Sequence, residues 1–164
     1  MPEIREELPG EHAAIRELNH RAFGGEQESR IVDALRDNGA LLLSLVAIQD
    51  EQLVGHIAYS PATIGGLAGV ALGPMSVAPE HQRQGIGSKL VAEGSRRLKA
   101  AGWPFVVVLG HADFYPRFGF RRASEHGVRC QWTVPDEAFM LLVLDEAAMS
   151  GATGLARYRQ EFST

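Results

Sequence analysis

One stretch of this chain changes its hydrophobic period from that of a strand to that of a helix. Val70 to Val77 is an apolar run of strand length, and after a polar turn Ile86, Leu90, Val91, Gly94 and Leu98 recur with helical spacing. Arg96, Arg97 and Lys99 fall in the last turns of that helix and Gly102 just past its end, where cations and a glycine suit a helix C-terminus. The turn between strand and helix holds Gly85 and Gly87, two glycines spaced by one residue. Such a pair lets the backbone approach a ligand with no side chain in the way. The first turn of the helix adds unpaired N–H groups at the positive end of its dipole. Ser88 supplies a hydroxyl and Arg83 a guanidinium, so the segment reads as an anion cradle.

The rest of the chain supplies strands and helices in mixed order. Gly10-Glu11-His12 opens a helical run in which Ile15, Leu18 and Ala22 share a face; Gly24 and Gly25 break it. A second helical pattern runs from about Glu28 to Arg36 and stops at Asn38-Gly39. Ala40 to Ile48, a turn at Gln49 to Gln52, and Leu53 to Ile64 read as a β-hairpin. Gly65 to Gly69 reads as a turn before the strand at Val70 to Val77, whose internal Gly73-Pro74 implies a bulge or an exposed edge. Phe105 to Leu109 is a short, fully apolar strand. Further strands are expected at Arg121 to Val128 and Phe139 to Leu144, and a C-terminal helix around Gly154 to Glu161; Glu3 to Leu8 is too short to classify. The sum is a mixed α+β chain of 164 residues, long enough for one real core, so a single domain over 1–164 is expected.

Composition closes off several classes. The lone cysteine, Cys130, makes no internal disulfide, and no Cys/His set has zinc-ligand spacing, so no metal is expected and a cytoplasmic setting fits best. The N-terminus is charged where a signal peptide is apolar, and no stretch approaches the roughly 18 apolar residues of a membrane span, so no membrane partner is expected. A net charge of -4 argues against nucleic acid. That total hides an asymmetry. Residues 1–80 carry 5 Lys/Arg against 12 Asp/Glu, whereas residues 83–122 carry 8 against 2. An anionic ligand belongs with the second stretch.

Three phosphate-binding loops compete for the glycine turn. A Walker loop needs Gly-x-x-x-x-Gly-Lys-Ser/Thr, but Gly87 is followed by Ser88-Lys89 and preceded five residues earlier by Gln82. A dinucleotide fingerprint needs glycine at position 90, which is leucine, and an acidic residue about 20 positions on, which is missing. What remains is Gln-x-x-Gly-x-Gly at Gln82 to Gly87, after Val77-Ala-Pro-Glu-His. It resembles the pyrophosphate motif of the GNAT superfamily, the acetyl-CoA-dependent N-acetyltransferases. Asp113-Phe-Tyr-Pro-Arg-Phe-Gly-Phe120 similarly resembles that family's Phe-Tyr-x-x-x-Gly-Phe segment. The two matches lie about 30 residues apart and in the family's order.

The resemblance implies a mostly antiparallel central sheet of about six to seven strands flanked by helices, with a splayed strand pair holding acyl-CoA. It implies that the backbone at Gln82, Arg83, Gln84, Gly85, Ile86, Gly87 and Ser88 holds the CoA pyrophosphate, that Ser76 and Val77 pair with the pantetheine arm, and that acetyl-CoA is the cosubstrate. The reaction implied is direct attack of a primary amine, on a small molecule or peptide, on the thioester. Tyr115 is the expected acid for the departing thiolate. Glu80, His81, His111, Glu26 and Glu28 stay open as bases, and the acidic first half points to a cationic amine. A non-catalytic acyl-CoA-binding or sensing module of the same fold is the alternative. The C-terminal strands make a homodimer the expected assembly if the chain associates.

Overall fold

A computed structural model of the protein describes residues 2–163. Two compact units emerge, one built from residues up to Tyr59 with Pro74–Ser95, the other from Ser60–Gly73 and the residues from Arg96 onward. The elements in chain order are β1 (Glu3–Glu6), α1 (His12–Phe23), α2 (Gln27–Asp37), β2 (Leu43–Gln49), β3 (Gln52–Ile64), β4 (Leu67–Val77), α3 (Ile86–Ala100), β5 (Phe105–Leu109), β6 (Arg121–Arg122), β7 (Val128–Cys130), β8 (Phe139–Val143), α4 (Glu146–Met149) and β9 (Gly154–Tyr158). Nine strands among the described residues exceed the expected six or seven, the surplus being short pieces such as β6 and β7.

In the first unit β1, β2 and β3 pair antiparallel. The β2–β3 hairpin turns on Asp50 and Glu51, both at positive φ (52° and 64°), the backbone of a two-residue turn whose twist matches that of the strands. α1 and α2 cover one face, where Ile15 and Val32 pack on Val46 and Ala58. Glycines bring α3 close to β3. A Cβ at Gly55 would lie 3.0 Å from Ile86 Cγ2 and 3.1 Å from Leu90 Cδ1, and one at Gly94 only 2.1 Å from the Tyr59 hydroxyl oxygen.

In the second unit β5 pairs antiparallel with β8 over its whole length and parallel with β4 at Val70, Ala71 and Leu72. A parallel pair needs a crossover, and α3 is the connection between β4 and β5. Phe105, Val107, Phe139 and Leu141 form the core there. Three expectations fail in or next to this unit. The turn at 65–69 shrinks to Gly65-Gly66, and Leu67–Gly69 joins β4; residue 69 is a glycine inside a strand, not a turn former, and the Phe105 ring fills the place of its Cβ, 2.3 Å away. The strand expected at 121–128 stops after Arg122, and a 3-10 turn ended by Gly127 (φ 70°) separates it from β7. The C-terminal helix is instead β9, followed by a 3-10 turn. Ala156 pairs with Ile64 of β3 and with Cys130 of β7, and bonding on both edges overrides the weak helical preference of the segment.

A buried polar chain ties the first unit together. The Glu7 carboxylate takes two bonds from Arg36, at 2.9 and 3.1 Å, and one from the Ser44 hydroxyl. Because that hydroxyl donates to Glu7, it is free only to accept from His56 Nε2, 2.8 Å away, which leaves Nδ1 of His56 as a buried lone pair without a partner. Burial raises Glu7, but the bonds from Arg36 and Ser44 outweigh it and hold the carboxyl below its usual range. His56 is wholly buried, and desolvation pushes it down to about 4. The unfolded chain therefore binds a proton near pH 6.5 that the folded one refuses until about pH 4, so stability is full above pH 6.5 and falls as the pH drops toward 4, by about 3 kcal/mol. Urea unfolding at a series of pH values should show this fall, and His56→Leu should flatten it in that window.

Candidate active site

The strand–loop–helix begins where β4 has left its ladder with β5. Gly73 takes φ 151°, which few L side chains adopt, and Pro74 has no N–H to donate. Two bonds then fix the strand's end: Ala78 N–H donates to Val54 O at 2.8 Å, and Gln82 Nε2 donates to Val77 O at 3.1 Å. After a 3-10 turn at Pro79–His81 the chain curls through Arg83 (φ 64°) and Gly85 (φ 85°). Left-handed backbone is free for glycine but costs an arginine about 1–2 kcal/mol. Two such residues close together turn the chain sharply, and left-handed turns of this kind are the backbone from which anion-binding nests are built. Lys89 N–H is bonded to Gly85 O at 3.1 Å, so the N–H groups of Ile86, Gly87 and Ser88, at the head of α3, have no partner within the helix.

The site residues expected here divide by how they can act. Gln82, Arg83, Gln84 and Gly85 are exposed, and Gly87 and Ser88 are half-buried. Ile86 is buried against Gly55, so its side chain anchors the helix and only its backbone faces the loop. Ser76 is also buried, and its hydroxyl donates to Asn19 Oδ1 of α1 at 2.8 Å. Arg83's strained backbone and the Ser76–Asn19 bond escape a reading of the sequence. The signal for the second is that Asn19 falls on the apolar face of α1, one turn after Ile15. Among the candidate bases, Glu80 pairs with Arg21 and Glu26 with Arg30, while Glu28 is half-buried.

In the second unit, Tyr115 opens a 3-10 turn, Tyr115–Phe118, that Gly119 ends at φ 94°. Its ring is 6% exposed and meets Phe114 and Phe120 edge-on, with centroids 5.0 and 5.5 Å apart. Burial pushes the phenol up to about 12, so it keeps its proton throughout the neutral range. His111 is exposed, its carbonyl accepting from the Phe114 and Tyr115 N–H groups. The Cys130 thiol is raised by burial, despite bonds from the backbone of Trp132 and Gln131, and is no activated nucleophile. Gly110 makes room for Tyr115: a Cβ there would stand 2.4 Å from Cε2 of the ring. Gly110→Ala should displace the ring and lower stability by about 1–3 kcal/mol in urea unfolding. Gly10→Ala, where a Cβ meets open space, should change it little.

A strand that outruns its parallel neighbour, a left-handed curl at the head of a crossover helix, and a buried neutral tyrosine after the next strand all fall within one stretch of the chain. Residues 41–122, which hold all three, match the acetyltransferase (GNAT) domain. The chain is 38% identical over 163 residues to the uncharacterized N-acetyltransferase YhbS of Escherichia coli K12, covering 98% of each chain. Among solved structures it resembles YhbS of E. coli in complex with CoA, at TM-score 0.95 and 37% identity over 99% of this chain and 92% of that one. It likewise resembles a GNAT family acetyltransferase of Brucella melitensis in complex with acetyl-CoA, at TM-score 0.82 and 38% identity over 99% and 98%. This protein belongs to the GNAT family of acetyltransferases. Its fold is the GNAT fold, a mixed and mostly antiparallel sheet with flanking helices.

Proposed function

We propose that residues 1–164 act as one N-acetyltransferase domain that moves an acetyl group from acetyl-CoA to a primary amine of a small molecule or peptide, by direct attack of the amine on the thioester. The observation that carries this reading is the curl from Gln82 to Ser88 at the head of α3. Its left-handed residues and unpartnered helix N–H groups suit a pyrophosphate, and two similar proteins were solved with CoA or acetyl-CoA. Ser76 and Val77 offer the pantetheine arm a strand edge. Because the Ser76 side chain is turned into α1, the pairing falls to the backbone, where the Val77 carbonyl already has one of its two lone pairs taken by Gln82 Nε2. The single cysteine agrees with a cytoplasmic setting, and no helix among the described residues is long and apolar enough to cross a membrane.

In the reaction the amine lone pair attacks the carbonyl carbon, the tetrahedral intermediate collapses, and the C–S bond breaks with its electron pair going to sulfur. The amine proton leaves to solvent or a base. Tyr115 serves the departing thiolate. With the phenol near 12 and a thiol near 8.5, complete proton transfer is uphill, so the first service of Tyr115 is a hydrogen bond to the developing charge. Protonation of the sulfur is completed from water.

Two measurements test this. Acetyl-CoA, but not ATP or NAD, should raise the melting temperature, and Gly85→Val should weaken that binding by blocking the curl; no shift at millimolar acetyl-CoA would remove the cofactor assignment. With an amine found by a thiol-release screen, Tyr115→Phe should cut turnover roughly ten- to a thousandfold while acetyl-CoA still binds. Turnover at the wild-type rate would take Tyr115 out of the mechanism.

A further inference from the structure

Near its C-terminal end α1 carries three consecutive polar residues, each bonded to a different element of the first unit. Asn19 Oδ1 accepts from Ser76 of β4 at 2.8 Å, His20 Nε2 meets Ser29 Oγ of α2 at 2.8 Å, and Arg21 pairs with Glu80 in the turn before the glycine loop. Two of the three side chains find their partner and need nothing more. Asn19 does not. The residue is wholly buried, and Nδ2 of its amide, a group with two N–H donors, is buried with no hydrogen-bond partner. A buried donor left without an acceptor keeps its full desolvation penalty, so an acceptor brought to Nδ2 by a ligand gains a hydrogen bond without displacing one.

The chemistry of that partner follows from what surrounds the amide. Oδ1 already accepts from the Ser76 hydroxyl, and the unpartnered atom, Nδ2, can only donate, so the partner it suits is an acceptor oxygen. The bond to Ser76 places the amide beside the five residues of β4, Gly73–Val77, that continue past its pairing with β5. We propose that Asn19 is a catalytic residue whose Nδ2 donates to the carbonyl oxygen of the acyl thioester, with Ser76 as the positioning residue that sets the amide. The inference rests on the acetyl-CoA reading above. As the amine lone pair forms the new C–N bond, the carbonyl π pair moves onto oxygen, and the hydrogen bond from Nδ2 strengthens with the charge it faces. On collapse that pair restores C=O, and the C–S electrons leave with sulfur.

The test compares acetyl-CoA with S-ethyl-CoA, which has an ethyl group in place of the acetyl and so lacks the carbonyl oxygen. By titration calorimetry the wild-type protein should bind acetyl-CoA about tenfold more tightly, the scale of one hydrogen bond. Asn19→Asp keeps an oxygen for Ser76 and removes the N–H pair; it should abolish the preference and leave S-ethyl-CoA affinity unchanged. Ser76→Ala should reduce the preference without abolishing it. The infrared C=O stretch of acetyl-CoA should move to lower frequency on binding to the wild-type protein and return toward its solution value in Asn19→Asp. A preference that survives Asn19→Asp, or an equal loss of affinity for both ligands, overturns the inference. So does an unshifted carbonyl band in the wild-type complex, which decides the matter even where the aspartate variant does not fold. If neither ligand binds the wild-type protein, the acetyl-CoA reading falls as well, whereas equal binding of the two refutes the role of Asn19 alone.

Discussion

β4 shares only three residues of parallel ladder with β5 and then runs on for five more, Gly73–Val77, without it. Backbone N–H and C=O groups are obligatory hydrogen-bonding groups, so a strand that gives up a neighbour must have those groups met in some other way. Here the local sequence does part of that work: Pro74 has no N–H to lose, Gly73 adopts a turn of backbone closed to most residues, and the Gln82 side chain takes the Val77 carbonyl. Ala78 N–H, bonded to Val54 O, keeps the chain on its β3 side just past the end of the strand. The proposed cofactor edge depends on this interruption, because a fully paired β4 would leave no edge for an extended ligand.

The loop and helix that follow are placed by close packing. Gly55 on β3 and Gly94 on α3 remove the two side chains that would hold helix and strand apart, and Ile86 sets the first turn of α3 against the sheet. The N-terminus of α3 is thus held at a defined depth, with its free N–H groups on the side of the exposed curl. A helix fixed at its first buried residue is preorganised for the pyrophosphate role proposed for it, since it would need little reordering when charge arrives.

Much of this was legible in the sequence because it is local. The change of period between Val77 and Ile86, the Gly85/Gly87 pair and the Phe-Tyr-x-x-x-Gly-Phe segment each lie within a few residues, and each appears in the structure where the pattern puts it. What stayed hidden depends on partners far away in the chain. β9 is a strand because β3 and β7 bond it on both edges, and its own residues carry no such instruction. Gly69 yields to the Phe105 ring, and Asn19 meets Ser76 across 57 positions. Arg83 in a left-handed conformation is a cost that no propensity scale anticipates, since the loop as a whole imposes it.

The same strand β9 bears on how the protein is made. It is bonded on one edge to β3 and on the other to β7, although nearly the whole second unit separates it from β3 along the chain. During synthesis β3 therefore emerges long before the segment that covers its edge at Ala62–Ile64. Closing that edge is a non-local step of the slow kind, and until it occurs the nascent chain exposes an unpaired strand of the sort that invites pairing with another copy.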